Sequence, residues 1–124
     1  MAAPNIVNIT TMLGKLVTAD LTTTSATSVL SNAASSGKVL KIASLVVANI
    51  DTVNAVNATV NHYSAAALGG TATPLVSTVS IPANSSLIVI DKTTTIYLEE
   101  NMSIGATAGT ASKLKVVCSY EDIS

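Results

Sequence analysis

The chain has 124 residues, a formal net charge of −1, and 10% charged residues against about 25% in an ordinary soluble domain. It contains no Arg, Trp or Phe, one His and one Cys. That excludes the basic footprint of a nucleic-acid binder, a disulfide scaffold and any metal centre built on several His or Cys ligands. Val, Ile and Thr supply 41 residues, and Ala and Ser another 33. β-Branched side chains suit a pleated, half-buried surface, so the composition predicts an all-β fold. Its core must be aliphatic, either thin or completed by a partner subunit. A near-neutral, charge-poor surface fits two states: a monomer coated in Ser, Thr and Asn, or a subunit covered by neighbours.

Cys118 is alone, so no internal disulfide is expected, which suits a reducing compartment. The stretch Met1 to Ile9 lacks the basic and apolar regions of a signal peptide. No run reaches the roughly 18 apolar residues of a membrane span, so no membrane partner is expected.

In chain order, residues Asn5 to Thr18 read as an extended segment interrupted near Gly14. Thr22 to Thr24 and Thr27 to Leu30 are β-compatible, and Ser31 to Gly37 is a loop. Lys38 to Ile50 is the strongest strand and should be central, because both faces are apolar in its middle. Strict alternation puts Leu40, Ile42, Val46, Ala48 and Ile50 on one face, and Val39, Lys41, Ala43, Leu45 and Val47 on the other. A turn at Asp51 to Asn54 followed by Ala55 to Tyr63 reads as a hairpin, with Val56, Ala58, Val60 and His62 sharing a face. Ser64 to Pro74 reads as a loop bending at Gly69-Gly70.

Strands follow at Leu75 to Ile81, Leu87 to Ile90, Ile96 to Glu99 and Ile104 to Thr107. The last, Lys113 to Glu121, turns Leu114, Val116, Cys118 and Tyr120 inward. The sum is an eight- to nine-stranded β-sandwich, jelly-roll or immunoglobulin-like, with no helix. Residues 1–37 form an N-terminal arm or edge strands, and residues 38–124 form the sandwich body of a single domain.

The candidate reactive groups read as structural. A general base needs a nucleophile or an orienting carboxylate. His62 has only Asp51 across the expected hairpin turn, and no spacing compels contact. Cys118 alternates with Val116 and Tyr120 as a small core residue. Glu99-Glu100-Asn101 and Glu121-Asp122 are the acidic clusters, both read as solvated strand ends rather than calcium loops. Asn32 to Val39 lacks the first Gly of a phosphate-binding loop and has Val39 where Ser or Thr would bind magnesium. The Asn-X-Ser/Thr sites at Asn8, Asn57, Asn84 and Asn101 are chance products of a chain rich in Asn, Ser and Thr. Tyr63, Tyr97 and Tyr120 could form a sugar platform, but Tyr120 is expected to point inward. No catalytic, cofactor or metal residue is assigned, and the chain is not expected to be an enzyme.

Three stretches carry a family resemblance: LTTTSATSVLSNAASSGKVLKIASLVVANID from Leu21, STVSIPANSSLIVIDKTTTIYLEENMSI from Ser77, and KLKVVCSYEDIS from Lys113. Together they resemble the small virion structural proteins of tailed phages, especially phages of marine and freshwater bacteria. The resemblance departs at Asn101-Met102, where a Gly-Asp turn would be expected. It implies a β-sandwich on the exterior of a particle assembled in the host cytoplasm, acting as a capsid decoration (cement) protein. Its expected partner is the major capsid protein, and it would be a homo-oligomer, trimer or dimer. A neck or tail component, or a host-glycan or receptor-binding module on a fibre, are the alternatives.

Overall fold

A computed structural model describes residues 11–124, so the Asn5 to Thr10 part of the first expected segment, and residues 1–10 of the expected arm, lie outside the described residues. Nine strands follow in order: β1 (Met12–Leu21), β2 (Thr27–Asn32), β3 (Val39–Asn49), β4 (Val56–Ala65), β5 (Gly69–Ile81), β6 (Ser86–Ile90), β7 (Ile96–Leu98), β8 (Met102–Ala108) and β9 (Leu114–Ile123). They form two antiparallel sheets. The first runs β1-β9-β3-β6, with β7 also pairing β3, and the second runs β2-β8-β4-β5. β6 pairs with Leu45 to Ala48 and β7 with Leu40 to Ile42 of β3, so they act as one strand broken by a turn. With β6 and β7 counted together, the connectivity is that of a jelly roll. β1 and β2 are edge strands, one in each sheet.

β3 is central, as its apolar pattern requires, but its faces differ from strict alternation. Its register against β9 shifts between Ile42 and Ser44. The extra residue, Ala43, is a bulge, and a one-residue slip moves every later side chain to the other face. Leu45, Val47 and Asn49 therefore join Leu40 and Ile42 in the interior, while Val46 and Ala48 turn outward. Ile42, Leu45, Val47, Val60, Ile104, Leu114 and Val116 are fully buried and form an aliphatic core between the sheets. β1 runs unbroken through Gly14, which pairs with Glu121. Thr22 to Thr24 is a bend rather than a strand, closed locally by the Thr22 N–H on the Asp20 carbonyl (3.1 Å).

The expected β3–β4 hairpin does not exist, because the two strands lie in different sheets. The reason is Asn49, buried at the end of β3. Its Nδ2 donates to the carbonyls of Asn54 (3.1 Å) and Ile81 (2.9 Å), and its Oδ1 accepts from the Asp51 N–H (2.9 Å). Asp51 Oδ1 in turn accepts from the N–H groups of Val53 (2.9 Å) and Asn54 (3.0 Å). The crossover from β3 to β4 is thus tied to the end of β5. Asn32 acts similarly after β2, donating to the carbonyls of Lys38 (2.9 Å) and Leu98 (3.0 Å) and accepting from the Ser36 hydroxyl.

Residues 64–74 are not an open loop but the tip of a β4–β5 hairpin. Ala67, Leu68 and Gly70 adopt positive φ and fold the tip back over the outer face of the second sheet. There the Leu68 N–H meets Ser103 Oγ (2.9 Å) and the Ala67 N–H meets Ser31 Oγ (3.0 Å). Gly105 makes room: a Cβ there would lie 2.5 Å from Leu68 Cδ2 and 3.1 Å from the Tyr63 ring.

Leu45→Ala should lower the unfolding free energy by about 2–5 kcal/mol through the cavity it leaves. Asn49→Leu should cost about 1–3 kcal/mol by stranding its carbonyl partners. Ile88→Ala, on the exposed face, should stay within about 0.5 kcal/mol. Urea denaturation of the three variants checks the ranking.

Candidate functional site

The structure separates the reactive groups. His62 lies half-buried on β4, opposite Ile104 of β8 and Thr73 of β5. Asp51 precedes the other end of that strand, about 20 Å away at the usual rise per residue. Backbone N–H groups of Asn54 and Val53 hold the Asp51 carboxyl below the usual carboxylate range. Cys118 is fully buried, and burial pushes its thiol up to about 11. Among the described residues, no three His, Cys, Asp or Glu side chains gather to hold a metal. The tyrosines share no platform: Tyr63 is buried under the hairpin tip, Tyr97 is exposed, and Tyr120 is half-buried.

The Glu99-Glu100-Asn101 cluster is a turn, in which Asn101 adopts positive φ and its Oδ1 accepts the Ala66 N–H (3.2 Å). Asn57, Asn84 and Asn101 are exposed, and Asn8 lies outside the described residues. Glu121-Asp122 differs from its expected place as a solvated strand end. Both residues lie within β9, and Asp122 is buried on the inner face, aligned with Leu13 and Leu40.

Asp122 organises one of two features that the sequence reading missed. At one end of the sandwich a cavity of about 290 Å³ opens between β1, β2, β9 and the β2–β3 connection. Lys15 Nζ (3.2 Å) and Lys38 Nζ (3.1 Å) both approach Asp122 Oδ2, whose side chain is 7% exposed. Burial raises the Asp122 pKa, but hydrogen bonds and charge from Lys38 and Lys15 outweigh it and hold the carboxyl below its ordinary value. Leu30, Leu40 and Tyr120 supply less polar walls. The signal available in the sequence was the alternation of β9: continued past Tyr120, it turns Asp122 inward.

The second feature is a stripe across the outer face of the first sheet. Thr18, Val117, Val46 and Ile88 align as Cα partners across β1, β9, β3 and β6. Leu16 is a diagonal neighbour of Val117 on the same face. Leu16 (65%), Ile88 (63%) and Val117 (40%) are exposed. Charged rows flank the stripe: Asp20 and Lys115, paired at 3.0 Å, on one side, and Glu121 with Lys41 on the other. Single exposed apolar residues are ordinary; here three of them, with Val46 between, are aligned across one face.

No family model matches the chain, and no curated protein matches it. A solved structure of similar shape comes from work on Bacillus endospore appendages, described as a novel family of disulfide-linked pili. It is 18% identical, covers 90% of this chain and 87% of its own, and has a TM-score of 0.49. At that similarity it carries no argument about role, and the strand pairing itself defines the fold.

Two outcomes follow for the buried groups. Cys118 should resist iodoacetamide in the native protein at about pH 8 and react fully once the chain is unfolded; rapid native labelling would contradict its burial. Because the folded pKa of Asp122 lies below the unfolded value, its contribution is present above about pH 4 and lost as pH falls through the folded pKa. Asp122→Asn should cost about 1 kcal/mol at neutral pH, discounted for the exposed lysines. It should also flatten the acid limb of the stability–pH curve, measured by thermal unfolding.

Proposed function

We propose that this chain is a virion structural protein: a capsid decoration subunit that binds the major capsid protein on the particle exterior, as a homo-oligomer. The observation that carries this reading is the outward-facing apolar stripe of Leu16, Val117, Val46 and Ile88, of which Leu16, Val117 and Ile88 are exposed, set between two charged rows of the same sheet. It spans four strands, a breadth that suits a seam between close-packed subunits. The sequence resemblance to small phage virion proteins supplies the partner. Many identical weak contacts along a lattice give strong retention through multivalency, and few charges limit repulsion between crowded copies. The reading is non-enzymatic: His62 and Asp51 are held apart, and Cys118 is sealed in the core. A neck or tail component would use the same stripe in a ring of few copies.

Ile88→Glu and Val117→Glu test the reading. Both residues are exposed, so each variant should unfold within a few degrees of the parent. Each should lose about tenfold or more in binding to capsids assembled without this protein, measured by co-sedimentation, because a charge placed in an apolar seam is desolvated unpaired. Unchanged co-sedimentation of both variants would remove the stripe as the docking surface.

A further inference from the structure

The cavity around Asp122 is unused by a docking role, and its electrostatics are unbalanced. The charged residues that line it are Lys15, Lys38 and Asp122. Two ammonium groups converge on one carboxylate oxygen, from β1 and from the β2–β3 connection, which leaves one positive charge without a counter-charge in the cavity. Each ammonium has three donors and directs one to Asp122, so several remain. The Lys15 and Lys38 contacts are both at Asp122 Oδ2, which leaves Asp122 Oδ1, and the hydroxyl of half-buried Tyr120, free of any hydrogen bond to another described residue.

This inventory describes a ligand. It must carry one negative charge for Lys15 and Lys38, with acceptor oxygens for the spare N–H donors. It must also offer a hydroxyl to donate to Asp122 Oδ1, since a bare anion would meet only repulsion there. It must have an apolar side for Leu30 and Leu40. At about 290 Å³ the cavity lies at the small end of ligand pockets, enough for a single ring. Residues 1–10 contain no acidic side chain and cannot supply the charge. We propose that the cavity binds a compact hydroxylated monocarboxylate, of the size and chemistry of a uronic acid ring. Its carboxylate bridges Lys15 and Lys38, and a ring hydroxyl donates to Asp122.

The test is an amide-resolved NMR titration of the full chain with D-glucuronate. D-Glucose serves as the uncharged ring and acetate as the bare carboxylate. Glucuronate should give saturable shifts at millimolar concentration, confined to amides around Asn32, Lys38, Tyr120 and Asp122, and weakened by added salt. Acetate should bind the same amides more weakly, and glucose should not saturate. Lys38→Gln and Lys15→Gln, both at partly exposed side chains, should each lower glucuronate affinity about tenfold while the remaining spectrum stays native. Asp122→Asn should narrow the preference for glucuronate over acetate. Glucose binding as well as glucuronate, acetate binding as well as glucuronate, or full affinity in both lysine variants would each overturn the proposal. Because none of these readouts involves capsids, they stand apart from the docking experiment.

Discussion

Two buried carboxamides hold the chain at two of the points where it changes sheets, on either side of the central strand β3. Asn49 closes the passage from β3 to β4 and ties it to the end of β5; Asn32 closes the passage from β2 to β3 and ties it to β7. Each is 2% exposed. At such a crossover the ladder stops, and several backbone groups would be buried without partners, at a cost of about 1–3 kcal/mol each. A single amide with two donors and an acceptor satisfies three of them. The jelly-roll path follows, because β3 released from a hairpin can lie between β9 and β6, and β4 can take the opposite sheet beside β8.

With the corners fixed, the aliphatic core needs no aromatic residue. The β3 bulge at Ala43 brings Leu40 and Ile42 onto the same interior face as Leu45 and Val47, so one strand feeds the core along its whole length. It also turns Val46 outward beside Val117 and Ile88, which creates the apolar stripe. The same irregularity therefore fills the inside and exposes the outside. The proposed docking surface is a consequence of how the core is built.

The fold class was legible because period-two alternation and β-branched content survive in most strands. β9 is the clearest case, with Leu114, Val116 and Cys118 buried as alternation requires. What was not legible has physical causes. Periodicity carries no mark of a bulge, so the faces of β3 beyond Ala43 came out reversed. The sheet partners of this topology are remote in sequence, β1 with β9 and β2 with β8, so neighbouring strands were read as a hairpin. The tip at Ala67 and Leu68 uses positive φ at residues that do not advertise it. The cavity escaped notice for the same reason as the sheet order: Lys15, Lys38 and Asp122 meet only when β1 and β9 pair.

On the proposed role, this sandwich covers a capsid lattice instead of capping a ring or acting alone. The most direct measurement is its copy number per purified virion, by quantitative mass spectrometry against the major capsid protein. Lattice decoration predicts copies on the order of hundreds, in fixed proportion to the capsid subunit, as repeated symmetric sites demand. A count of about three to a dozen, the stoichiometry of a neck or tail ring, or no copies at all, would contradict it.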